Sequence, residues 1–314
     1  MNEWGGEGIP FLFIIDFEQV KPLIFKINEI RPDRLLYDIN GISNARDYTR
    51  SGSPAKLVKY PESFADYLLK FNMVKNEIAN GNSFLLNLTC STPVGLNSTL
   101  TEIFHMSTAR YKICLNDEFV CFSPEPFVII SNGKIRSFPM KGTIDASIPD
   151  AENVILNDAK ETSEHYTIVD LIRNDLSMVS KRVRVERFRY FDAIETNEKR
   201  LLQVSSEICG DLGEGYLSSI GDIIFSLLPA GSVSGAPKKK TTEIIASAEG
   251  IPRGYYTGIA GLFDGRNLDS GVLIRFIEKR ENGYFYRSGG GITSFSDPLS
   301  EYNEMIDKIY VPAI

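Results

Sequence analysis

Four glutamates stand in two pairs of identical spacing, Glu161 with Glu164 and Glu301 with Glu304. On a helix, positions three apart share a face, so each pair presents two carboxylates in one direction. Two such helices converging would offer oxygen ligands to a hard cation such as Mg2+, which prefers octahedral oxygen coordination and keeps several waters. The same spacing also describes two ordinary solvated helix faces. A second set is Glu125 in FSPEPF (122–127) and Lys141 in FPMKGT (138–143). Each ends a strand of a predicted hairpin, and the chain between them returns both to one sheet edge. They form either an ion pair or a nucleophile with its proton donor. A buried lysine can lose its proton near neutral pH and become nucleophilic.

Two glycine-rich segments could approach an anion. Gly289-Gly290-Gly291 follows a predicted strand, where free backbone N–H groups can hold a carboxylate; a plain loop is the alternative. PAGSVSGAPKKKTTEII (229–245) opens a helix at Pro237, and helix N-termini suit anions. It does not match the GxxxxGK[ST] phosphate loop.

The elements that must position these groups alternate irregularly. Residues 9–17 (IPFLFIIDF) read as a buried strand, residues 62–79 as an amphipathic helix stopped at Asn80-Gly81, and SFLLNLTCSTPV as a strand. YKICL and EFVCFS flank Asn116-Asp117, and FVII and KIRSFPM flank Asn132-Gly133, the strongest two-residue turn signal in the chain. Helical patterns follow over 157–180, 217–228 and 238–248. Strands return in GYYTGIAGLF, DSGVLIRFIEKR and GYFYRSGG, and Asp297-Pro298 starts a last helix as cap and first-turn proline. Hairpins mixed with helices, without βαβ alternation, predict an α+β fold.

The chain has 314 residues, 43% hydrophobic and 24% charged, which is ordinary for a globular protein. A net charge of -7 argues against nucleic acid, because phosphate binding needs clustered cations. Cys90, Cys114, Cys121 and Cys209 show no metal spacing and read as reduced thiols. No signal peptide is visible at the N-terminus, and the apolar run 11–17 is too short to span a bilayer, so a cytoplasmic protein without membrane partners is expected.

Taken in order, the segments SPEPF (123–127), FPMKGT (138–143), ETSEHYTIVDLIRNDL (161–176), PAGSVSGAPKKKTTEII (229–245), RGYYTGIAGLFD (253–264), GVLIRF (271–276) and SGGGITSFSDPLSEYNEM (288–305) resemble the chorismate-utilising enzymes. That family includes component I of anthranilate synthase and of aminodeoxychorismate synthase, with isochorismate and salicylate synthases as relatives. The resemblance implies antiparallel β-sheets packed as a sandwich with helices outside. It implies a catalytic domain over 61–314, with 1–60 as an abbreviated N-terminal segment packed on it, and no tryptophan feedback site.

It also implies roles. Glu164 and Glu304 would be the main Mg2+ ligands, assisted by Glu161 and Glu301, holding the ring carboxylate of chorismate. Arg275 and Tyr256 match positions that contact the enolpyruvyl carboxylate. Ser232, Thr143, Gly289 and Gly290 match positions around the substrate, and Lys308, one turn past Glu304, can reach a carboxylate. Gln203 stands where relatives carry a histidine, and it cannot carry a proton as imidazole does.

Two positions separate the family's branches. Near Leu85, where the water-adding members carry a lysine, this chain has no base. Anthranilate synthases carry alanine where Lys141 stands, whereas aminodeoxychorismate synthases read PIKGT. The resemblance therefore implies amination at C4 through a Lys141 adduct, with Glu125 as proton donor. Ammonia would come from a separate glutamine amidotransferase subunit. Anthranilate synthase component I and a catalytically silent chorismate-binding subunit are the alternatives.

Overall fold

Strand Phe11–Ile15 explains the architecture in miniature, because all five of its residues are buried. In a strand, alternate side chains face opposite sides. Phe11, Phe13 and Ile15 enter one apolar cluster, and Leu12 and Ile14 enter another. A strand covered on both faces reads as an unbroken apolar run, which is why the sequence here shows no alternation.

The computed structural model describes residues 1–46, 56–195 and 200–312. Two nine-stranded sheets dominate the described residues, and their strands pair antiparallel. The first sheet contains Phe11–Ile15, Pro126–Ser131, Met140–Asp145 and the long hairpin Lys181–Glu195 with Arg200–Asp211. The second contains Leu85–Leu96, Tyr111–Leu115, Phe119–Ser123 and Gly283–Ile292. The sheets face each other across a cluster that includes Leu12, Tyr111, Phe119, Leu262 and Phe276. Helix Ala159–Val179 covers the outside of the first sheet; Phe64–Ala79, Lys238–Glu249 and Pro298–Asp307 cover the second. The α+β sandwich with outer helices is therefore present.

Local signals act as expected. Asn132 and Gly133 both take positive φ (52 and 69 degrees), the backbone a two-residue hairpin requires. Asp297 accepts the N–H of Ser300 at 2.9 Å and caps the last helix. Residues 1–60 supply strands to both sheets, with Phe11–Ile15 in the first and Leu35–Ile39 and Leu57–Lys59 in the second; positions 47–55 of that segment lie outside the described residues. The apolar stretch Tyr216–Val233 is long enough by composition to cross a membrane. It is broken into short turns of helix, and its Ile220, Ile224 and Leu227 are buried in the core under the first sheet.

Two features differ from the sequence reading. Gly289, Gly290 and Gly291 lie inside strand Gly283–Ile292, paired with Thr89, Leu88 and Asn87, and are not a loop beyond it. Glycine's poor strand propensity is overridden by the register with Asn87, Leu88 and Thr89 on the neighbouring strand. The two predicted hairpins also belong to different sheets, and the chain crosses between them at Pro124-Glu125.

Candidate functional site

At one end the space between the sheets opens into a polar cavity of about 440 Å³. Every candidate site residue named from the sequence lines it: Glu125, Lys141, Thr143, Glu161, Glu164, Gln203, Ser232, Tyr256, Arg275, Gly289, Gly290, Glu301, Glu304 and Lys308. They arrive from both sheets and both glutamate helices.

Two sheet-to-sheet crossings carry the central groups. Glu125 sits between Phe119–Ser123 and Pro126–Ser131; Arg275 sits between Leu268–Val272 and Phe276–Arg280. The crossings are stitched together, with the Val272 N–H donating to the Glu125 carbonyl at 3.0 Å and the Phe122 N–H to the Arg275 carbonyl at 3.1 Å. Arg275 takes φ 55 degrees, uncommon for a side-chain-bearing residue and typical of functional turns.

The glutamate end is built from helices Ala159–Val179 and Pro298–Asp307. Lys141 Nζ lies 3.3 Å from Glu164 Oε2, and Lys308 Nζ lies 2.6 Å from Glu304 Oε1. Lys308 also donates to the Gly289 carbonyl at 2.9 Å, and Ser296 Oγ donates to Glu301 Oε1 at 2.7 Å. The glycines make room for these carboxylates. A Cβ on Gly290 would stand 3.2 Å from Glu301 Oε2 and 3.6 Å from Glu304 Oε1; one on Gly142 would stand 3.3 Å from Glu161 Oε2. Among the described residues no three metal-ligating side chains converge in this arrangement, and two of the four carboxylates are engaged by lysines. The four side chains offer carboxylate oxygen, the donor type a hard cation takes, with lysine ammonium groups standing among them.

Charge states sort the two central groups. Burial raises the Glu125 pKa above the ordinary carboxylate value, against the opposing pulls of the Ser232 hydrogen bond and of Lys141, Arg275 and Lys308. A carboxyl that keeps its proton longer suits a proton donor. Lys141 departs from the expectation that burial frees its amine. Burial does pull its pKa down, but Glu164, by charge and hydrogen bond, with Glu125 and Glu161, leaves it above the ordinary lysine value.

At the other end Tyr256 is buried, and Arg275 donates to Tyr310 Oη at 3.3 Å. Gln203 stands opposite Thr143 across neighbouring strands, so both face the cavity from the first sheet. Neither histidine lines it. His165 is buried with Nε2 2.7 Å from Ser206 Oγ, and burial lowers its pKa to about 4. Asn87, Arg287 and Ser288 also line the cavity. Sequence reasoning missed them; a single arginine two residues before a glycine run, in an aromatic strand, was the signal available for Arg287.

The family model for chorismate binding enzymes matches residues 27–313. A PabA-like protein of Haemophilus influenzae is 50% identical over 99% of this chain and 94% of its own length. Anthranilate synthase component 1 of Haloarcula marismortui is 35% identical over 79% of the chain. Aminodeoxychorismate synthase component 1 of Bacillus subtilis is 32% identical over 76%. The chain spans 52% of the length of each of the last two. In fold it is similar to the menaquinone-specific isochorismate synthase of Escherichia coli, with TM-score 0.74 and 17% identity over 98% of this chain and 78% of that one. Anthranilate synthase component I of Streptococcus pneumoniae gives TM-score 0.67 and 23% identity over 82% and 59%.

Proposed function

The chain belongs to the chorismate binding enzyme family, and we propose that it is the component of an aminodeoxychorismate synthase that converts chorismate and ammonia to 4-amino-4-deoxychorismate. The observation that carries this reading is Lys141, a lysine at the cavity wall 3.3 Å from Glu164, with Glu125 lining the same cavity. Anthranilate synthases carry alanine at that place, so direct amination at C2 needs no such group. Water addition needs a base near Leu85, which an apolar side chain cannot supply.

Chorismate carries two carboxylates, and the cavity has two ends to receive them. Arg275 and Tyr256 bind and orient the enolpyruvyl carboxylate. Glu161, Glu164, Glu301 and Glu304 would hold Mg2+, which when bound supplies the positive charge that a ring carboxylate needs beside four glutamates. Lys141 first passes the proton its neighbours hold on it to Glu164, 3.3 Å away, and as the free amine then forms a bond to C2 while both conjugated ring double bonds shift and the C4–O bond breaks. Glu125 gives its proton to the departing oxygen, which leaves as water. Ammonia then bonds to C4, both double bonds return, the C2–N bond breaks, Lys141 takes its proton back from Glu164, and a proton from the incoming amine restores Glu125. Ser232 holds the Glu125 carboxyl throughout by their short hydrogen bond. Ammonia would reach the site from a glutamine amidotransferase partner.

The 35% identity to an anthranilate synthase keeps that activity as the second reading. Incubating the chain with chorismate, Mg2+ and an ammonium salt at mildly alkaline pH separates the two by product mass. 4-Amino-4-deoxychorismate supports the proposal; anthranilate sinks it and makes Lys141 an ion-pair partner only.

A further inference from the structure

Two arginines are wholly buried, and they are treated differently. Arg253 is saturated. Its Nε and Nη2 bond Glu249 at 3.0 and 2.6 Å, and its Nη1 and Nη2 also bond the Val233 and Asn87 carbonyls at 2.7 Å each. It does not line the cavity. Arg287 is also 1% exposed, lines the cavity, and is poorly satisfied. Its Nη1 meets Glu278 Oε1 at 3.3 Å and the Pro252 carbonyl at 3.4 Å, and that Glu278 oxygen also serves Arg280. Its Nε has no hydrogen-bond partner among the described residues. Its guanidinium lies 5.2 Å from the centre of the Tyr256 ring, which lines the same cavity.

A guanidinium has five N–H donors and cannot shed its charge, so leaving one buried with weak partners is costly unless an anion completes it. Arg253 shows that this fold can saturate a buried arginine. We propose that Arg287 is a second substrate-gripping arginine, which with Arg275 holds the side-chain carboxylate of the bound acid and sets the site's preference for a dianion. This rests on the chorismate reading above. Arginine suits the task because its planar fork matches a carboxylate in shape as well as charge.

Calorimetric titration of the full chain with chorismate, and with its side-chain monomethyl ester, in the presence of Mg2+, tests this. The unaltered protein should prefer the diacid by about a hundredfold, and Arg287→Gln should cut that preference by about tenfold or more, by weakening the diacid alone. Arg287→Lys, which keeps the charge beside Glu278, should fall between them and serves as the test if the glutamine variant does not fold. Equal weakening of both ligands, or an unchanged ratio, overturns the proposal and leaves Arg287 a structural partner of Glu278. If the unaltered protein binds neither ligand, the chorismate reading itself fails and this proposal falls with it.

Discussion

The two ends of the cavity solve opposite electrostatic problems. The glutamate end gathers four carboxylates on two helices and steadies two of them with Lys141 and Lys308. The arginine end gathers Arg275 and Arg287 around Tyr256 on strands and a crossing. An anionic group meets cations directly at one end and needs a bridging cation at the other. On the proposed reading, the difference would let an unsymmetrical diacid enter in only one orientation, with its ring beside Lys141 and Glu125.

Breaking the glutamate end at its lysine should have the largest effect. Lys141→Ala is expected to lower amination by about 10³-fold or more, as for loss of a nucleophile, with a melting curve showing an intact fold. A loss under tenfold would reduce Lys141 to charge balance for Glu164. Glu125→Gln should cost about 10²-fold as loss of a general acid. The pH dependence sharpens that case. The Glu125 pKa is raised, so the limb on which activity falls as pH climbs through it should vanish in Glu125→Gln. The linked stability has the same sign. Stability from a raised carboxyl is full below the ordinary carboxylate range and is lost as pH rises through the raised value. Thermal melts should therefore show the glutamine variant gaining on the parent toward higher pH.

Smaller effects test whether the glutamate end is a cation site. Glu304→Gln should raise the Mg2+ concentration for half-saturation by about 10- to 100-fold while leaving the turnover at saturation closer to normal. Direct Mg2+ titration checks it, and an unchanged midpoint would place the metal elsewhere. Gly290→Ala should weaken chorismate about tenfold, because its new methyl would sit 3.2 Å from Glu301 Oε2 and narrow the glutamate end. Measuring both ligands in that variant shows whether metal or substrate feels the methyl first.

Much of this was legible in the sequence for physical reasons that can be named. The i, i+3 glutamates needed only helices, and the caps at Asp158 and Asp297 start both helices just before them. Asn132-Gly133 dictated its turn. The long hairpin Lys181–Glu195 with Arg200–Asp211 was not drawn as a pair, because Arg182, Arg184, Glu186, Arg187 and Arg189 dilute the apolar alternation that marks a strand. The glycine run was placed after its strand, with a plain loop as the alternative, because its pairing comes from register with Leu85–Leu96, which is nonlocal. The protonation of Lys141 was missed for the same reason: Glu164 is 23 positions away in sequence and 3.3 Å away in space. Arg287 looked like any strand residue until its poor partnering could be compared with that of Arg253.

The paired crossings have a mechanical consequence. Since the Glu125 and Arg275 segments bond each other through Val272 and Phe122, they act as a rivet through the sandwich. Sliding one sheet over the other would shear both segments at once. The spacing of the Glu125 and Arg275 backbones is therefore held by these bonds, whatever the surrounding side chains do. Substitutions that loosen the sandwich should register in turnover before they register in global unfolding.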